Sequence, residues 1–167
     1  MKSFYKVIEK AYWFIAQRDS IAYLYGGDGR ICTDEYFSQW LLKYPHRIPE
    51  DRQEKIRDYT VGKRIYDCSQ LVVECVGCPD MNSGGLIARC NPVLEDLSLG
   101  PEASILWKKG HVGIDIGCGW AVDIPTEGQT VRVRRVNEGG WQKSGQLWLY
   151  VNYNGARAMD PNRGKES

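Results

Sequence analysis

The sequence holds only two histidines, His46 and His111, among its 167 residues. Any imidazole chemistry must therefore come from one of two positions. A long hydrophobic run is missing as well. In the opening segment MKSFYKVIEKAYWFIAQRDS, Glu9, Lys10, Arg18 and Asp19 interrupt the apolar stretches, which argues against a signal peptide or a membrane span there. On that reading the chain is expected to be cytoplasmic as synthesised. Nor is there an excess of one charge: 22 basic residues face 21 acidic ones, without the basic surplus usual in nucleic-acid binders. No repeat and no interdomain linker is visible, so a single domain is expected, and at this length it can bury roughly two thirds of its unfolded surface.

Six cysteines stand at 32, 68, 75, 78, 90 and 118. Without a secretion signal their default state is the reduced thiol. Cys75 and Cys78 have the spacing of a zinc or redox pair. A structural zinc site wants a second matching pair, which the sequence does not offer, so no metal is expected. A thioredoxin-like role is disfavoured too, because Cys75 falls late in a helix, where the dipole opposes a thiolate.

Phe4, Val7, Ile8, Ala11, Phe14 and Ile15 recur at helical spacing and predict an amphipathic helix from Phe4 to about Ala16. The glycine cluster of Tyr23-Leu24-Tyr25-Gly26-Gly27-Asp28-Gly29 requires a turn. Helices are predicted over 34–44, ended by Pro45, over 50–58, and from Cys68 to about Cys75. Beyond Cys90 the pattern shortens into strands, predicted at 104–107, 111–116, 120–124, 130–136 and 147–151. Helices first and an antiparallel sheet second is the order of an α+β domain.

Cys68 stands where the Tyr66-Asp67 approach meets a helix, and a helix N-terminus can favour a thiolate nucleophile. The plainer reading is a buried structural cysteine. His46 sits between prolines in an exposed loop. His111 opens the strand HVGIDIG, in which alternation places His111, Gly113 and Asp115 on one face. The turn Gly117-Cys118-Gly119 leads to a second strand ending in Asp123. Closure about Gly117 would set His111 directly across from Asp123, and closure about Cys118 would make them diagonal neighbours. Either register lets the carboxylate orient an imidazole base.

The segment YDCSQLV resembles the D-C-S-G-L/V signature of NlpC/p60 cell-wall peptidases, and GHVGIDIGCGWAVD resembles their second signature. The resemblance implies a papain-like fold with N-terminal helices packed on a five-stranded antiparallel sheet. It places Cys68 on the nucleophile, His111 on the base and Asp123 on the third position, where histidine is commoner. Tyr23-Leu24-Tyr25-Gly26-Gly27 is similar to the family's Y-x-x-G-G. By that similarity Tyr23 lines the subsite for the stem peptide's L-alanine, and Asp67 and Ser69 hold its free amino group. Gln70 departs from the signature glycine, and residues 28–66 form an insertion, expected to carry two extra helices. The expected organisation is one catalytic domain over 1–153 and a flexible tail over 154–167. The resemblance implies a peptidoglycan endopeptidase cutting the D-γ-glutamyl–diamino acid bond, with stem peptides as partner and no cofactor, acting on the wall after release or export. Two alternatives stand beside it: an amidase or acyltransferase with the same triad, and a non-catalytic wall-binding domain.

Overall fold

The structure, a computed structural model, describes residues 1–157. Most of the expected tail, 158–167, lies outside the described residues. A two-residue strand β1 (Lys2–Ser3) leads into α1 (Phe4–Ala16), whose buried side chains Phe4, Val7, Ala11 and Phe14 form one helical stripe. Then follow β2 (Ile21–Tyr23), β3 (Asp28–Ile31), α2 (Asp34–Lys43), α3 (Glu50–Thr60), β4 (Arg64–Tyr66), α4 (Cys68–Val76) and α5 (Ser83–Ala88). The remainder is strand: β5 (Val93–Leu94), β6 (Ile105–Lys108), β7 (His111–Gly117), β8 (Trp120–Asp123), β9 (Arg132–Arg135), β10 (Lys143–Gly145) and β11 (Val151–Asn152). No helix among the described residues is long and apolar enough to cross a membrane.

The architecture is α+β, as expected. Its main sheet is antiparallel in the order β5-β10-β6-β7-β8-β9, six strands rather than five. The strand predicted over 147–151 does not form. Leu147 is fully buried while Trp148 and Leu149 are exposed, which is not the alternation of a strand. The amides of Tyr150 and Val151 turn back to the Leu147 carbonyl, both at 2.9 Å. Val151–Asn152 instead pairs in parallel with Lys2–Ser3, tying one end of the described chain to the other. The strand from this region that does join the main sheet is Lys143–Gly145, which lies ahead of the apolar run at Leu147.

Helix α4 packs against α1 on one side and β7 on the other, so Leu71, Val72, Cys75, Val112 and Ile114 share the principal core. A second cluster, built on Leu24, Cys32, Phe37, Trp40, Ile48, Ile56 and Ile65, belongs largely to the segment 28–66. The segment thus carries its own apolar centre, with both expected helices. Thr33 caps α2 by accepting the Tyr36 amide at 3.0 Å. A three-stranded sheet, β2-β4-β3, anchors the segment at both ends.

Asp115 on β7 is fully buried. Its Oδ1 accepts the Gly117 amide at 2.7 Å, and Oδ2 has no partner. Burial pushes the carboxyl up from 3.8 to about 7, against the opposing Gly117 hydrogen bond. The folded state therefore holds this proton more tightly than the unfolded chain. Its contribution to stability is complete below about 4 and falls away as pH rises to about 7. Asp115→Asn is expected to remove that decline and to be more stable than the parent at pH 8. Urea midpoints at pH 5 and pH 8 check it; an unchanged pH slope would contradict it.

Candidate active site

Cys68 is the first residue of α4, and the helix begins there because Asp67 caps it. Asp67 Oδ1 accepts the Gln70 amide at 2.8 Å and the Ser69 hydroxyl at 2.8 Å. Its other oxygen accepts the Gly26 amide at 3.1 Å. Gly26 takes a left-handed φ of 71°, and a Cβ on Gly27 would lie 2.7 Å from the Tyr66 amide nitrogen. The two glycines let the chain after β2 close onto the approach to Cys68. Parallel pairing of β2 with β4 sets Tyr23 beside Tyr66, two residues before Cys68. Tyr23, Asp67 and Ser69 are thereby gathered at one end of α4.

The β7–β8 hairpin pairs Ile114 with Val122 and Asp115 with Ala121. Of the two registers left open, this is closure about Cys118, which brings Asp123 opposite Gly113 and diagonal to His111. A Cβ on Gly113 would lie 2.8 Å from the Val122 carbonyl oxygen, 3.0 Å from the Trp141 ring and 3.2 Å from Asp123 Cβ. The missing side chain is the space through which carboxylate and imidazole meet. His111 Nε2 lies 2.7 Å from Asp123 Oδ2. The His111 ring stacks on Trp141, with centroids 5.5 Å apart and planes 9° apart. Bond and stack together hold one ring orientation, and with Nε2 engaged, Nδ1 is the nitrogen left for a second partner.

Asp123 is more heavily partnered than a simple orienter. It pairs across to Arg132 on β9 and accepts from Arg132 Nε at 3.0 Å, from Arg132 Nη2 at 2.8 Å and from Arg134 Nη2 at 3.1 Å. Burial pushes the Asp123 carboxyl upward, but the His111 and Arg132 hydrogen bonds outweigh it and hold the group at about 2. The sequence alone does not mark Trp141, Arg132 and Arg134 as site residues. The signal for the arginines was present in Arg132-Val133-Arg134-Arg135, since alternate residues of a strand paired to β8 must share the face of Asp123.

The helix N-terminus lies beneath the Cys68 sulfur, and the Val112 backbone amide on β7, one residue from His111, is near enough to favour its ionised form. Burial nonetheless pushes the thiol up to about 11, assisted by the Asp67 charge and opposed by the amides of Val112, Ser69 and Cys68. The resting group at neutral pH is a thiol, not the thiolate that the helix terminus alone would favour. The other cysteines are free; Cys32, Cys75, Cys78 and Cys90 are buried and Cys118 is exposed on its turn. His46 lies on the exposed loop expected of it. Among the described residues no group of three or more His, Cys, Asp or Glu is arranged to hold a metal.

No protein-family profile matches the chain, and no curated protein matches it in sequence. Solved structures do. The chain is similar to the NlpC/p60 domain of the peptidoglycan hydrolase SagA, with a TM-score of 0.52 at 16% identity, over 86% of this chain and 98% of that domain. It is likewise similar to the peptidoglycan hydrolase RipB of Mycobacterium tuberculosis, with a TM-score of 0.52 at 16% identity, over 86% of this chain and 66% of that one. The fold of this chain is that of the NlpC/p60 domains.

Proposed function

We propose that the chain is a cysteine hydrolase of peptidoglycan stem peptides that cuts the D-γ-glutamyl–diamino acid bond. The observation that carries this reading is the constellation at one end of α4. An imidazole is fixed by a buried carboxylate on β7–β8, and the strand that carries it packs against the helix that Cys68 opens. That the two similar structures are peptidoglycan hydrolases supports the choice of substrate.

Because the sulfur rests as a thiol, attack and proton transfer are coupled. His111 Nδ1 takes the Cys68 proton as the sulfur bonds to the carbonyl carbon. The Cys68 and Ser69 amides at the helix start receive the developing oxyanion. Collapse expels the amine, which takes the proton from His111 and leaves a thioester. Water then attacks the thioester with His111 again as base, releasing the acid and restoring the thiol. No cofactor takes part. Residues 1–153 act as the catalytic domain, with 28–66 as an insertion bordering the cleft, and the chain reaches the wall by release or export.

The rivals make different products. Incubation with L-alanyl-γ-D-glutamyl-diaminopimelate is expected to yield L-alanyl-D-glutamate and free diaminopimelate, read by mass spectrometry. Release of intact peptide from an N-acetylmuramoyl peptide would instead mark an amidase. Binding without any cleavage would mark a wall-binding domain.

A further inference from the structure

The segment 28–66 brings a cation to the neighbourhood of Tyr23. Arg47, on the connection between α2 and α3, crosses to the β8–β9 loop, where its Nε donates to Glu127 Oε1 at 2.7 Å. Glu127 is buried and its other oxygen accepts the Thr126 hydroxyl at 3.0 Å. The guanidinium lies 4.1 Å over the ring of Tyr25, so one face is covered by the aromatic and one edge by the carboxylate. Its two terminal nitrogens have no hydrogen-bond partner among the described residues, and the side chain is 36% exposed. The same loop is pinned to β2 by the Tyr23 amide, which donates to the Gln129 carbonyl at 2.8 Å. Arg47 and Glu127 are therefore fixed beside Tyr23, whose hydroxyl feels the charges of Glu127, Arg47 and Asp67.

A guanidinium stacked and bonded at one edge, with its other donors open, is organised in advance for a carboxylate, which such a fork binds in bidentate fashion. A γ-linked glutamyl residue differs from an ordinary peptide residue in one respect that matters here. Its backbone carboxyl is not consumed by the peptide bond and remains as a free anion near the scissile carbonyl. We propose that Arg47 reads this free α-carboxylate, making the enzyme selective for γ-glutamyl acyl donors whose α-carboxyl is ionised over those in which it is amidated. The proposal rests on the peptidase reading above and names a specificity residue of the same cleft. It also gives the segment 28–66 a role in the cleft, which is to hold the cation in place.

The test compares two tripeptides, L-alanyl-γ-D-glutamyl-L-lysine and its counterpart with the D-glutamyl α-carboxyl amidated. The native protein is expected to favour the carboxylate form by about tenfold or more in kcat/KM, the scale of one charge-assisted pair. In Arg47→Gln the ratio should fall to about one; in Arg47→Lys, which keeps the charge and a partner for Glu127, part of the preference should survive. Equal cleavage of both peptides by the native protein, or an undiminished preference in Arg47→Gln, overturns the proposal. Calorimetric binding of L-alanyl-D-glutamate and L-alanyl-D-isoglutamine to the Cys68→Ala protein provides a readout that needs no turnover. A carboxylate preference lost with Arg47→Gln supports the proposal even if the native enzyme cuts another bond. Absence of that preference, or no binding of either dipeptide, defeats it independently of the hydrolase reading.

Discussion

Cys68→Ala is expected to lower stem-peptide turnover by roughly five orders of magnitude or more, because removing the proposed nucleophile removes the covalent path itself. The fold should survive. Asp67 caps α4 through its own side chain and the Gln70 amide, neither of which involves the sulfur. The cost is confined to a small buried thiol, about 1 kcal/mol. Far-UV circular dichroism and thermal midpoints close to the parent, together with lost turnover, are the expected pair of results. Cys68→Ser should fare little better, since its hydroxyl would meet the same burial and the same Asp67 charge. In the parent, alkylation of Cys68 by iodoacetamide should keep accelerating as pH rises through neutrality toward the thiol's value of about 11. A rate that is already flat from pH 5 would show a resting thiolate and contradict the coupled proton transfer.

Asp123→Ala is expected to damage both stability and catalysis. The carboxylate is wholly buried and receives His111, Arg132 and Arg134 together. Its loss leaves two guanidinium groups without that counter-charge, and His111 without the partner that sets its ring. Breaking a buried ion pair by removing one member costs about 3–5 kcal/mol. Here the lower end applies, because the Arg132 side chain is 36% exposed and water screens it. Loss of the orienter should lower turnover by roughly two to four orders of magnitude. The sign with pH follows from the depressed carboxyl. Its stabilisation is present above 3.8 and is lost as pH falls toward about 2, so the parent and variant should converge in stability under strong acid. A double-mutant cycle with Arg132→Gln separates charge from orientation. The Arg132→Gln exchange should recover stability in the Asp123→Ala background without recovering turnover. Simple additivity of the two changes would show that the arginine clamp has no energetic reality.

Much of this site is legible before folding. The stripe of Phe4, Val7, Ala11 and Phe14 marks α1 to its ends, and Asp67-Cys68 marks the start of α4, because local periodicity and capping decide both. Tyr23 reaches the cleft through a parallel β2–β4 pairing that no local pattern announces; the Y-x-x-G-G likeness supplies it instead. What stays hidden depends on partners distant in sequence. Arg132 and Arg134 look like solvated charges until β9 is laid against β8. Arg47 looks like a loop cation until Glu127, 80 residues away, receives it. The hydrophobic run at Leu147 imitates a strand because burial of one residue, not alternation, produces it. The state of the Cys68 sulfur is the least legible property, since burial outweighs the helix terminus only once the core around it exists.

The central claim, that Cys68 carries the acyl group during stem-peptide cleavage, is tested most directly by intact-protein mass spectrometry of acid-quenched reactions. With L-alanyl-γ-D-glutamyl-diaminopimelate, the parent should gain the mass of the L-alanyl-D-glutamyl group, mapped by peptide digestion to Cys68, and Cys68→Ala should show neither adduct nor product. Product formation that persists in Cys68→Ala, or an adduct mapped to another residue, would contradict it.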